Sequence, residues 1–184
     1  MHNPQPSPAP LHRIVVVGVT GSGKTTLAQE LAHRLGVSHV ELDALHWEPG
    51  WVQAKPERFR QRVSKALASE SWVADGNYRE VRGIVWAQAD TLVWLDYALW
   101  RALVRVIWRT ARRILRREVL WNDNRETWRN AVFSRDGLVL YLFKSHGRLR
   151  RTYPLLLLQP CHRHLQVVRL RNPRETARWL ASVS

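Results

Sequence analysis

Apolar positions along this chain follow two alternating rhythms: short β-branched runs, and longer stretches with helical spacing. Arg13-Ile-Val-Val-Val-Gly18 is a β-branched run closed by glycine, the pattern of a buried parallel strand. From Thr25 the rhythm changes to Leu27, Leu31 and Leu35 at steps of four, with Gly36 as the stop. Val37 to Leu42 predicts a second strand ending at Asp43. Pro49-Gly50 marks a turn, and Pro56 opens a helix whose buried face is Phe59, Val63, Ala66 and Leu67. Trp72-Val-Ala74 predicts a third strand ending at Asp75-Gly76, and Thr91-Leu-Val-Trp-Leu95 a fourth ending at Asp96. A long helix follows from about Leu99 to Val119, then a polar, mobile stretch over 121–136, then a helix from about Asp136 to Arg151. Leu165 to Leu170 gives a fifth strand. Asn172 caps a last helix, with Pro173 at its first position and Glu175 at its third.

Strands alternating with helices imply a parallel sheet covered on both faces, joined by right-handed crossovers. The chain shows no internal repeat and no second domain. Residues 13–184 read as one domain, and 1–12, with four prolines and no apolar core of a signal peptide, as a disordered tail.

The turn after the first strand carries the chemistry. Gly18-Val-Thr-Gly-Ser-Gly-Lys24-Thr25 satisfies G-x-x-x-x-G-K-[ST], with the required strand before it and helix after it. The glycines allow successive backbone N–H groups to point into one concavity that holds phosphate oxygens, and the helix adds its positive end. The expectation is a nucleoside triphosphate site for ATP with Mg²⁺. Gly18, Thr20, Gly21, Ser22, Gly23, Lys24, Thr25 and Thr26 surround the phosphates, Lys24 reaches the β- and γ-phosphates, and the Thr25 hydroxyl ligates the metal.

Such a loop serves many reactions, so the acidic strand ends must narrow the choice. Asp43, Asp75 and Asp96 all fall where an open α/β sheet places its ligand, although each could equally cap the turn that follows it. The segment Trp72-Val-Ala-Asp75-Gly76-Asn-Tyr78-Arg79 resembles the strand-end Asp-Gly…Arg signature of adenylate kinases and related small-molecule kinases. The resemblance implies that Asp75 holds Mg²⁺ and that Arg79 grips an acceptor phosphate. It also implies a lid carrying Arg105 and Arg109, one helical turn apart after Leu95-Asp96. Leu42-Asp43-Ala-Leu-His46-Trp47…Pro49-Gly50-Trp51, with Asp75-Gly76-Asn77-Tyr78, resembles more closely a bacterial branch of these kinase-like proteins known as topology modulation or flagellar regulators. The region between the second and third strands is short and holds no AMP-pocket pattern.

From this resemblance the fold class is α/β, a three-layer P-loop NTPase fold. It has a five-stranded parallel sheet of order 2-3-1-4-5 and an Arg-rich helical lid over about 99–151. Asp43 would orient or deprotonate the acceptor, His46 would line its pocket, and Arg171 would stack on the adenine.

Charge sharpens the choice. Lysine stands only at 24, 55, 65 and 144, which leaves 25 arginines in a chain of formal net charge +14. Arginine's planar fork grips phosphate and carboxylate, although a genome rich in arginine codons gives the same total. On the 99–119 helix, Arg101, Arg105, Arg109, Arg112, Arg113 and Arg116 run beside an apolar stripe of Leu99, Leu103, Ile107, Ala111, Ile114 and Leu115, with Trp100 and Trp108. The stripe is expected to be buried. Arg105 and Arg109 would close over the transferring phosphate, and Arg148, Arg150 and Arg151 over its far side. A solvated face or a nucleic-acid surface is the competing account. No run approaches the roughly 20 apolar residues of a membrane span. The lone Cys161 fits a reducing cytoplasm. Cys161, His162 and His164 find no matching ligands, so no metal beyond Mg²⁺ is expected.

The first reading is therefore a cytoplasmic ATP-dependent phosphotransferase acting on a small-molecule or nucleotide acceptor. The alternative is a nucleotide-dependent regulatory or DNA-associated ATPase. Arginines clustered at the loop favour the first, and a stripe remote from it the second.

Overall fold

The computed structural model describes residues 12–115 and 138–183. In chain order its elements are β1 (Arg13–Gly18), α1 (Lys24–Leu35), β2 (Ser38–Glu41), α2 (Leu42–His46), β3 (Trp47–Glu48), a 3₁₀ turn (Pro49–Trp51) and β4 (Val52–Gln53). Then come α3 (Pro56–Ala66), β5 (Trp72–Asp75), α4 (Arg82–Gln88), β6 (Thr91–Leu95), α5 (Leu99–Leu115), α6 (Leu138–Leu157), a 3₁₀ turn (Pro160–His162), β7 (Gln166–Leu170) and α7 (Pro173–Ala181).

Five strands form one parallel sheet in the order β2-β5-β1-β6-β7, which is 2-3-1-4-5 when these strands alone are counted. The fold class is as expected. Alternation along β1 builds both covered faces. Val15 and Val17 join one buried cluster with Trp72, Leu92 and Trp94, while Ile14 and Val16 join the other with Leu27 and Leu31 of α1. In register, Val16 faces Asp75 and Gly18 faces Leu95, so the carboxyl ends of the central strands meet at one edge of the sheet.

Several elements differ from the expectation. β2 ends at Glu41, and Leu42 begins a helix instead of closing the strand. Leu42 is buried beneath Gly76, where an added Cβ would come within 2.8 Å of its own Cβ, so packing turns the chain one residue early. Asp43 consequently sits in the first turn of α2, set back from the strand ends. The ribbon β3–β4 and helix α4 are short and amphipathic only over a few residues, and the periodicity did not predict them. α6 continues through Pro154 to Leu157, because Tyr153 is locked between Trp86 and Trp94, ring centroids 5.4 and 5.5 Å away. Asn172 caps α7 by accepting from the Glu175 N–H at 3.0 Å. The Glu175 carboxylate reaches back to the Arg171 N–H at 2.7 Å.

The largest correction concerns α5. Its docked face is Ala102, Val106 and Thr110, all buried, while Trp100, Ile107, Trp108 and Leu115 of the predicted buried stripe are exposed. The reason is the partner surface. α5 packs on the glycine loop, where a Cβ added to Gly21 would stand 2.5 Å from both the Ala102 carbonyl oxygen and Val106 Cγ2. Only small side chains permit that approach. The expected loop over 121–136 lies outside the described residues.

The ribbon has one backbone peculiarity. Trp51 has φ 59°, and among the described residues it alone, apart from glycines, takes a positive φ. For a bulky residue that costs on the order of 1–3 kcal/mol.

Candidate functional site

At the edge where the strand ends meet, β1 passes through the glycine-rich loop into α1. Gly21 and Gly23 have φ of 75° and 94°, left-handed values that let the backbone fold round a cavity. Gly23 is the N-cap of α1 and no side chain caps it, so the first-turn amides point into the loop's concavity. Gly18 lies beneath the loop, clamped by Asn77, whose amide oxygen accepts from the Gly18 N–H at 3.1 Å and whose amide nitrogen donates to the Gly18 carbonyl. The Tyr153 hydroxyl donates to the same Asn77 oxygen at 3.3 Å and ties α6 to the loop.

Lys24 is half-buried and its ammonium donates to the Val19 carbonyl at 3.2 Å. Burial lowers its pKa from the ordinary 10.5. The Asp43 and Asp75 carboxylates oppose that shift, the neighbouring Arg109 adds to it, and Glu41 opposes it. An ammonium held in this way has a strong electrostatic reason to donate to phosphate oxygens.

Beside it the Thr25 hydroxyl donates to Asp75 Oδ2 at 2.8 Å. Asp75 is buried, and its other oxygen meets His39 Nε2 at 2.8 Å. Glu41 Oε1 stands 3.5 Å from the Thr25 hydroxyl. Two hard oxygen donors at the mouth of a phosphate loop fit Mg²⁺, which takes few protein ligands and completes its shell with phosphate oxygens and water. Among the described residues there is no group of three or more His, Cys, Asp and Glu that could hold a metal ion. His39 and Glu41 were not singled out in the sequence. Their alternation on β2, two positions apart and so on one face, in register with β5, was the available signal.

The loop, Thr25 and Glu41 open on one cleft of about 1990 Å³, with the buried Asp75 and the half-buried His39 behind its wall. Pockets for a single small ligand run to roughly 300–1,000 Å³, so there is room for a nucleotide and a second molecule together. Thr20, Gly21, Ser22, Gly23, Lys24, Thr25 and Thr26 line it, as do Asp43, His46, Arg79, Arg105 and Arg109. Arg105 donates to the Ser22 carbonyl at 3.2 Å and lies over the Tyr97 ring at 5.6 Å, so it rests on the phosphate loop. Arg112 and Arg148 also face the cleft.

Asp43 accepts from the Tyr78 hydroxyl at 2.6 Å. His46 is buried, with Nδ1 lacking a partner, among Trp47, Phe59 and Tyr78 at centroid distances of 5.0, 4.9 and 4.3 Å. Desolvation lowers its pKa below 6.5, against the pull of Glu80 and Asp43, which keeps the ring neutral.

Four residues weighed for the site lie elsewhere. Arg171 is not among the described residues lining the cleft; the capping network of Glu175 holds its backbone, and Pro173, Thr176 and Ala177 face the cavity instead. Asp96 is buried in ion pairs with Arg150 and Arg169, each at 2.6 Å, and joins α6 to β7. Arg150 is thereby turned away from the cleft, and Arg151 does not line it either.

A family model described as "ATPase family associated with various cellular activities (AAA)" matches residues 14–75, the stretch from β1 through the loop to Asp75. Comparison with curated proteins gives no match. Among solved structures, a gluconokinase from Sinorhizobium meliloti 1021 is similar at 20% identity and TM-score 0.52, over 92% of this chain and 91% of that one. A shikimate kinase from Acinetobacter baumannii in complex with shikimate is similar at 19% identity and TM-score 0.53, over 94% and 90%. A sugar kinase from Janibacter sp. gives 21% identity and TM-score 0.51, over 94% of each chain. The loop, the matched ATPase stretch and the sheet order together define a P-loop NTPase with the fold of small-molecule kinases.

Proposed function

We propose that this chain is an ATP·Mg²⁺-dependent phosphotransferase that moves the γ-phosphoryl group of ATP to a hydroxyl of a small acceptor. One observation carries the reading: the phosphate loop, with Thr25 bonded to Asp75, and Asp43 stand at a single cleft large enough for two ligands. The loop amides and Lys24 hold the phosphates, and Thr25 and Asp75 hold Mg²⁺. The metal, when bound, neutralises phosphate charge and aligns the phosphates. Asp43 orients the acceptor hydroxyl and takes its proton as the oxygen attacks phosphorus and the bond to ADP breaks. Arg105 and Arg109 offset charge on the transferring group, and Arg79 binds the acceptor. Tyr97, Pro173 and Ala177 replace Arg171 as the surface for the adenine.

The similar solved structures include kinases of small hydroxylated molecules, which supports a small acceptor. Kinship with the bacterial topology-modulation branch rests on the Asp43–Trp51 and Asp75–Tyr78 motifs, and a cytoplasmic location on the lone cysteine. The DNA-associated alternative is less favoured, because Arg105, Arg109, Arg112 and Arg148 face the cleft instead of forming a remote stripe. No helix among the described residues is long and apolar enough to cross a membrane. Measuring ADP release from ATP·Mg²⁺ with and without a panel of hydroxylated acceptors tests the proposal. Stimulation by one acceptor class is expected. A rate independent of every acceptor but raised by duplex DNA would favour the alternative.

A further inference from the structure

The ribbon between α2 and α3 adds no strand to the five-stranded sheet, and its two tryptophans join neither buried cluster. Trp47 and Trp51 project from it into the cleft, on the same wall as Asp43, His46 and Arg79, with the two indoles edge to face at 5.5 Å and 78°. The ribbon is firmly held. Glu48 pairs with Arg58 and Arg62 of α3, each at 3.0 Å. Arg62 also donates to the Leu45 carbonyl at 3.1 Å, and the Ala54 N–H donates to the His46 carbonyl at 2.8 Å.

Against this rigid support stands the left-handed backbone of Trp51, φ 59°, directly after Gly50 at φ 75°. Glycine would adopt that conformation without strain, and the Trp51 indole packs on Trp47 and lines the cleft instead of joining either buried cluster of the described residues. A bulky residue kept in a strained conformation at the wall of a ligand cavity points to a ligand contact.

We infer that Trp47 and Trp51 form the platform that selects the acceptor, and that the acceptor is a ring-bearing, hydroxylated anion. This rests on the phosphotransferase reading and adds to it the class of molecule accepted. The indoles offer an extended apolar surface that a sugar ring or a base covers well and an acyclic molecule covers poorly. Beside them His46 lines the cleft and packs on Trp47, its Nδ1 buried without a partner. Asp43 receives the hydroxyl. Arg79 makes no hydrogen bond or ion pair among the described residues and supplies the charge for a carboxylate or phosphate. A ring sugar phosphate and a nucleoside monophosphate share this chemistry, and binding separates them.

Calorimetry would use the full-length protein with Mg²⁺ and a non-hydrolysable ATP analogue, and titrate glucose 6-phosphate, AMP and acyclic gluconate in turn. One ring-bearing anion should bind at least tenfold more tightly than gluconate. Trp51→Gly should weaken that binding tenfold or more, with unchanged affinity for the ATP analogue and a Tm equal to or above that of the wild type, since the substitution relieves the backbone. Trp47→Phe should weaken it less. Preference for gluconate, no binding of either ring, or an affinity unchanged within twofold in Trp51→Gly would overturn the inference. Failure of the wild type to bind the ATP analogue would instead overturn the phosphotransferase reading beneath it.

Discussion

The Thr25 hydroxyl donates to Asp75 Oδ2 across 2.8 Å, joining the first turn of α1 to the end of β5 although the two residues are fifty positions apart. The parallel register of β1 and β5 makes this contact possible, because it brings Asp75 level with Val16, just before the loop. If Thr25 and Asp75 hold Mg²⁺, this bond marks the place of the metal. Asp75→Asn should therefore lower kcat by on the order of 10²-fold or more while nucleotide affinity changes only a few-fold. His39→Ala should produce a smaller loss in the same direction by releasing the other Asp75 oxygen, and His39→Gln, which keeps an N–H donor, should restore most of it. Steady-state kinetics beside nucleotide titration separate the two effects; equal loss of affinity and turnover would point to a merely structural carboxylate.

Lys24 is a second point of leverage. Its folded pKa is lowered, so the charged side chain costs stability at neutral pH, and the cost falls as pH rises through the folded value toward 10.5. Lys24→Met should abolish measurable ATP binding without lowering Tm. The wild type should gain stability relative to the variant on the alkaline side. Parallel thermal melts and calorimetry check both statements.

How far these groups could be read in advance depended on how locally each is determined. The phosphate loop was fully legible, because its glycines, Lys24 and Thr25 are contiguous and the strand and helix beside them have clear periods. So were the five strands, of which the central three carry apolar runs buried on both faces while the edge strands β2 and β7 are partly exposed. The docked face of α5 was not. Helical periodicity selected the bulky stripe with Ile107 and Trp108, whereas close approach to Gly21 selected Ala102 and Val106, a constraint that only the tertiary neighbour imposes. Arg171 and Asp96 each follow a strand, but Glu175 holds the backbone of the first and Arg150 and Arg169 hold the second, contacts that position along the chain does not reveal. Asn77 stood in a quoted motif and His39 on the predicted β2, but their contacts with Gly18 and Asp75 are distant in sequence and could not be read from it.

The approach of α5 to the loop gives a further expectation. Gly21→Ala places a Cβ 2.5 Å from the Ala102 carbonyl and Val106 Cγ2, at a residue with φ 75°. Strain and overpacking together should cost on the order of 2–4 kcal/mol. Denaturant unfolding should show that loss, and ATP affinity should fall with it as α5 or the loop shifts. A variant with wild-type stability would mean that α5 does not rest on the loop in solution.

His46 sets an acid limit. It is neutral in the fold with a pKa below 6.5, so unfolding takes up a proton as pH falls through 6.5 toward the folded value, and stability drops over that window. His46→Phe should flatten the fall in Tm between pH 7 and the acid side, relative to the wild type. Identical pH profiles for the two proteins would mean that the buried ring is not held uncharged by the fold.

The central claim is that phosphate leaves ATP for an organic hydroxyl at Asp43 and not for water. Phosphorus NMR of a reaction containing ATP, Mg²⁺ and the acceptor that most stimulates ADP release tests this most directly. A new phosphomonoester resonance should grow in step with ADP and be lost in Asp43→Asn. Inorganic phosphate as the sole phosphorus product beside ADP, at a rate indifferent to Asp43, would contradict the claim.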